Sequence, residues 1–163
     1  MSVNNLSESF VIEVFNFSIS LSYLFIFCFI VVLLIFSAFF SGSETALTGA
    51  SRAKLMGLRE KGNKAANRAL KLREDNEKLI GALLLGNNLV NITATSLAAS
   101  VLTVAYGDKG VIVSTILMTL AILIFCEVLP KTYAMTNPEK SAIKVSFLVS
   151  LLVNFFTPIV AAI

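Results

Sequence analysis

Three groups of oxygen-bearing side chains interrupt otherwise apolar stretches of this sequence. Ser37, Ser41 and Ser43 cluster with Gly42 and Glu44, while Gly86, Asn87, Asn88 and Asn91 form a second group. Glu127 stands alone, three residues before Pro130. Ser37 and Ser41 are four apart, as are Asn87 and Asn91, so each pair shares one face of a helix. Gly42 permits a local opening of the helix, and an opened helix offers backbone carbonyls where it lines a cavity. Pro130 lacks an N–H, so the Cys126 carbonyl is expected to lose its helical donor. If the three groups converge, they make a pocket of hydroxyl, amide and carbonyl oxygens with one carboxylate. Such hard donors suit Mg²⁺, Na⁺ or Ca²⁺. The chain has no His, and Cys28 and Cys126 sit singly in apolar runs. That excludes most transition-metal sites and a disulfide framework. An enzyme is not expected either, because Ser41 has no His or Lys base in its segment and no pair of intramembrane aspartates exists.

The elements that must hold these residues are set by composition. Of 163 residues, 56% are apolar and 14% charged, against about 25% charged in soluble domains. Mean hydropathy is +0.85. The charges are clumped: nine of the thirteen Lys and Arg lie between Arg52 and Lys78. A helix needs roughly 20 apolar residues to cross hydrocarbon. The expected fold is therefore an all-α integral membrane domain filling 1–163, with spans at about 21–48, 79–105 and 111–130. Span three is expected to stop at Pro130. Residues 51–78 read as a cytosolic helical hairpin broken near Gly62-Asn63, with Asp75 capping the next helix. Residues 106–110 read as a turn. From Ala142 to Ile163 the chain is apolar but carries Lys144, Ser146, Ser150, Asn154 and Pro158. A fourth span and an interfacial helix both fit. Basic residues flank the inner ends of the spans, at 51–78 and at Lys131, Lys140 and Lys144. The positive-inside rule therefore places the N-terminus outside a multi-pass cell-membrane protein.

Blander readings compete at each position. A membrane serine often bonds back to its own i−4 carbonyl, the alternative for Ser37. Packing glue between helices is the alternative for Asn87 and Asn91, and a salt bridge to Lys131 at i+4 the alternative for Glu127. Glu44 reads as solvated at the membrane edge. The basic hairpin reads as a solvated face near anionic lipid headgroups, with no nucleic-acid partner expected. Ala94/Ala98 and Thr95/Ala99 are small-residue pairs that suit close helix approach, including between two chains.

Three motifs carry a resemblance: Ser41-Gly42-Ser43-Glu44-Thr45-Ala46, Leu85-Gly86-Asn87-Asn88-Leu89-Val90-Asn91, and Glu127-Val128-Leu129-Pro130-Lys131. In this order and spacing they resemble the transmembrane domain of CorC/CNNM magnesium transporters, over about residues 21–163. The resemblance implies a homodimer with three spans per subunit and a juxtamembrane helical belt, here about 131–163. It implies Mg²⁺ export coupled to Na⁺ entry. It also implies a metal site of Ser37, Ser41, Asn87, Asn91 and Glu127, with Ser43 a further member. Full-length members carry cytosolic nucleotide-binding paired domains, which this chain is expected to lack, ending as it does at Ile163. A Mg²⁺-sensing membrane anchor and dimerisation module for those domains would use the same residues.

Overall fold

The computed structural model describes residues 3–160, with side chains from 21 to 157. Among these residues the chain is entirely helical. Helix α1 runs Val3–Gly49, α2 Arg52–Glu60, α3 Lys64–Glu74, α4 Asn76–Tyr106 and α5 Asp108–Ala121. A π-helical segment, Ile122–Val128, leads into α6, Leu129–Thr136, and α7, Pro138–Val160, follows. Four stretches are long and apolar enough to cross a membrane: Leu21–Gly49, Asn76–Tyr106, Asp108–Thr136 and Pro138–Thr157.

Local signals act where the sequence places them. Asn63 Oδ1 accepts from the N–H groups of Ala65 and Ala66, both at 3.0 Å, and starts α3 after the left-handed Gly62. Asp75 caps α4 by accepting from the Lys78 N–H at 3.3 Å, and its other oxygen takes the Lys78 ammonium at 2.5 Å. Those bonds from Lys78 hold the Asp75 carboxyl below its usual range. The pair therefore supports the fold at neutral pH, and its contribution fades as pH falls through that lowered range.

Two expectations need correction here. Pro130 does not stop the third span, because the helix continues to Thr136. The π segment explains this: its wider turns lift the ladder to i→i−5, with the Leu129 N–H bonded to the Ile124 carbonyl. The proline ring then enters where the α-register is already broken. Any belt begins at Pro138 rather than 131, and its last residues, 161–163, lie outside the described residues. The 106–110 turn shrinks to Gly107, whose φ of 61° joins α4 directly to α5.

Two apolar clusters hold the helices. The larger joins the C-terminal end of α1 (Phe40, Ala46, Leu47) to the hairpin (Leu55, Ala66, Ala69), the start of α4 (Leu79, Ala82, Leu83) and one stripe of α7. That stripe is Ala142, Ser146, Val149, Val153 and Phe156, at helical spacing. The smaller joins Ile30, Ala94, Ala98 and Met118. Ala94 and Ala98 are thus consumed in packing α4 within the chain. The Thr95 hydroxyl bonds back to the Asn91 carbonyl. Thr95 and Ala99 are half-buried and stand outside that cluster.

Both halves of α7 follow the charged hairpin. Near its start, Glu139 takes the Lys54 ammonium at 3.1 Å and the Ser51 N–H at 3.3 Å. Further along, the Arg68 guanidinium lies 5.2 Å from the Phe147 ring centre. The hairpin also closes the end of α1, whose last carbonyls have no intrahelical donor. Arg73 donates to the Ala50 carbonyl and, at 3.5 Å, to that of Thr48. Replacing Arg73 with Met should cost about 1.5–3 kcal/mol, the usual worth of a charge-assisted bond. Thermal unfolding in detergent would read it, and an unchanged midpoint would show that this cap holds nothing.

Candidate functional site

Ser37 on α1 and Asn87 and Asn91 on α4 lie between the two apolar clusters, while Ser41 and Ser43 lie within the α1 stretch of the larger one. The Ser37 hydroxyl crosses to α4 and donates to Asn87 Oδ1 at 2.9 Å, ending the back-bonding reading for this serine. Gly86 allows that approach, since a Cβ there would lie 2.6 Å from the Phe40 ring. The Cys126 thiol, on the π segment, donates to the Leu34 carbonyl of α1 at 3.3 Å. One turn on, Pro130 packs against Gly42, where an added Cβ would meet the proline Cβ at 3.3 Å. The chain is thereby held against α1 on both sides of Glu127, by Cys126 and by Pro130. The inward role of Cys126 was not anticipated; its small size inside a run of Ile, Leu and Phe was the available signal.

Hydroxyls divide into two populations. Thr45, Thr93, Thr95, Ser100, Thr103, Thr115 and Thr132 each donate to the i−4 carbonyl, and Ser114 and Ser146 to the i−3 carbonyl. Ser41 and Ser43 do neither. Both are 1% exposed, yet their hydroxyl oxygens have no hydrogen-bond partner, and nor does the buried Oδ1 of Asn91. An unsatisfied buried polar group costs about 1–3 kcal/mol. Each of these three atoms calls for a ligand or water.

The sequence-derived residues are brought together unequally. Ser37 and Asn87 touch. Helices α1 and α4 run antiparallel, with Phe40 and Leu47 packed near Leu79 and Leu83 and Ile30 near Ala94 and Ala98. Ser41 and Asn91 therefore lie one turn from that contact in opposite directions. Glu127 is half-buried on the π segment. It makes no ion pair with Lys131; the ion pairs among the described residues are Lys54–Glu139 and Lys78–Asp75. Ser43, two residues from Ser41, projects to another side of α1. It lines a separate cavity of about 190 Å³ with Gly42, Pro130, Tyr133 and Lys144. Among the described residues no three His, Cys, Asp or Glu side chains gather. A cation held here would depend on neutral oxygens and one carboxylate.

These features define a multi-pass helical membrane domain with a buried oxygen-rich layer. Residues 28–163 match the family described as the cyclin M transmembrane N-terminal domain, CNNM, and the chain belongs to that family. It is 42% identical over 131 residues to a UPF0053 protein of Haemophilus influenzae, covering 80% of this chain and 31% of that one. It is 44% identical over 124 residues to the UPF0053 inner membrane protein YfjD of Escherichia coli, covering 76% and 29%. A polyamine export protein of Haemophilus influenzae is 27% identical over 144 residues, covering 80% and 33%. The chain thus spans about a third of the length of these relatives.

Proposed function

We propose that this domain carries Mg²⁺ across the cell membrane, exporting it in exchange for Na⁺, through Ser41, Asn87, Asn91 and Glu127. The observation that carries this reading is the set of buried oxygens without partners at Ser41 and Asn91. The Ser37 hydroxyl is satisfied by Asn87 and the Thr45 and Thr95 hydroxyls by their own helices, whereas these oxygens have no partner. The Asn87 carbonyl keeps one lone pair free beside the Ser37 bond. Four side-chain oxygens with carbonyls near Gly42 or Pro130 approach the six that Mg²⁺ requires. One carboxylate leaves the site net positive, so binding is weak enough for the ion to leave. Ser37 supports Asn87, and Ser43, on its separate face, belongs to the outer surroundings of the site.

The same reading gives three spans, an interfacial belt and a homodimer. Lys54, Arg68, Lys71 and Lys78 flank α7 along its described length. A crossing by α7 would draw that charged hairpin into hydrocarbon, at about 2.5–3.5 kcal/mol or more per charge. An α7 lying along the cytosolic face avoids this. Cysteines placed at Lys64 and Asp108 should label from opposite sides of the membrane, Asp108 from outside. Labelling from one side would sink the topology.

A polyamine, as in the name of one relative, is the second reading, because an ammonium group can use the same carboxylate and carbonyl oxygens. Liposomes containing the chain and a Mg²⁺-sensitive dye separate the two. We expect saturable Mg²⁺ flux that responds to an opposing Na⁺ gradient and is indifferent to spermidine. Spermidine flux without Mg²⁺ flux would replace this function with polyamine export. Mg²⁺ binding without flux would favour the sensing anchor.

A further inference from the structure

A cleft beside the charged hairpin has no part in the oxygen layer. It encloses about 360 Å³ between α3, the start of α4 and the far half of α7. One wall carries Arg68, Lys71 and Lys78; the other carries Ser150 and Asn154. The spacing explains both walls. Arg68 and Lys71 are three apart on α3, and Ser150 and Asn154 four apart on α7, so each pair forms one stripe. Only Lys78 is neutralised, by Asp75. Arg68 and Lys71 are in no salt bridge, and Arg68 is instead steadied over the Phe147 ring. The cleft thus presents unspent positive charge faced by an uncommitted hydroxyl and amide.

Alongside it, α7 exposes Phe147, Leu148, Leu151 and Phe155. That row belongs in acyl chains, which sets the mouth of the cleft at headgroup depth. We infer that the cleft between α3 and α7 binds the phosphoryl group of an anionic phospholipid headgroup. Arg68 supplies a planar fork for phosphate oxygens, Lys71 a point charge, and Ser150 and Asn154 neutral donors. The lipid's acyl chains then lie against the apolar row of α7. Such a lipid would clamp the hairpin to the belt. This goes beyond general attraction of a basic surface to the inner leaflet, because it localises the interaction in one cleft.

The inference rests on α7 being a belt, and that premise is tested separately. A label on Leu151→Cys should be quenched by headgroup-depth rather than mid-bilayer quenchers; the reverse would remove the belt and leave the lipid measurement to be read alone. The lipid test reconstitutes the whole chain in phosphatidylcholine bilayers with or without phosphatidylglycerol. It then counts phosphatidylglycerol molecules retained after extraction, by native mass spectrometry. Replacing Arg68 and Lys71 together with Gln should lower retention about tenfold or more, as two charge-assisted contacts are lost. Replacing Arg59 and Lys61 with Gln removes equal charge from the hairpin tip outside the cleft and should change it less than about twofold. Ser150→Ala with Asn154→Ala keeps every charge, and should still weaken retention severalfold even if the cationic pair proves needed for folding. Equal losses from both cationic pairs would reduce the effect to surface attraction and overturn the site. Displacement of the lipid by millimolar inorganic phosphate would overturn the lipid assignment in favour of a soluble phosphate.

Discussion

Glu127→Gln is expected to abolish nearly all Mg²⁺ flux in the liposome assay while leaving the fold intact. The substitution keeps shape and one oxygen but removes the single carboxylate of the proposed ligand set. At about 4 Å and an effective dielectric constant near 20, one unit of charge product is worth roughly 4 kcal/mol, and a divalent cation doubles it. Even if desolvation cancels most of that, a fall of about a hundredfold at subsaturating Mg²⁺ remains. Glu127 makes no ion pair with Lys131, so neutralising it strands no partner and thermal unfolding should barely move. Asn91→Ala removes one neutral oxygen and should weaken transport by about tenfold, the scale of one lost polar contact. The ordering matters as much as the sizes. Parent-like flux from Glu127→Gln would put the site elsewhere, and equal losses from both variants would argue for disturbed packing instead of coordination.

The elements were legible in the sequence wherever one local signal decided them. An apolar run broken only by Ser22 and Ser37 made the span from Leu21 to Phe40, and Asn63 and Asp75 started helices by capping them. Where packing decided, sequence alone left the outcome open or misled. Pro130 reads as a stop because an isolated helix cannot absorb it, yet the π segment before it and the seat on Gly42 let the chain continue. Hydropathy could not separate a belt from a fourth span, since the buried stripe of α7 mixes Ala142 and Ser146 with Val149 and Phe156. Its neighbours, the charged groups of the hairpin, carry the argument. The candidate site was visible as residue types, but helix faces sort its members. Ser43 sits two residues from Ser41 in sequence and on another side of α1 in space. Ala94 and Ala98, suited by spacing to an interface, are used within the chain against Ile30 and Met118.

Gly110→Ala should be the most damaging single methyl that the fold can receive at a glycine. A Cβ on Gly110 would lie 2.1 Å from the Leu102 carbonyl oxygen and 2.4 Å from its carbon. Both are backbone atoms, so no rotamer change relieves the clash and α5 must move off α4. Overpacking that side chains can partly absorb costs about 1–3 kcal/mol; here the loss should reach about 3 kcal/mol or more. Gly107 supplies the comparison. It has open space around it, but its φ of 61° and ψ of −147° fall where only glycine is at ease, so Gly107→Ala should cost about 1–3 kcal/mol. Gly57, helical and open, should gain up to about 1 kcal/mol on substitution with Ala. Thermal unfolding in detergent ranks the three, and a parent-like midpoint for Gly110→Ala would refute the close approach of α4 and α5. The consequence extends to transport. Helix α5 runs without a break into the π segment that bears Glu127, while Asn87 and Asn91 are fixed on α4. Splaying the two helices at Gly110 shifts the segment that bears Glu127 relative to α4, so under the proposed site flux should fall at temperatures where the variant is still folded.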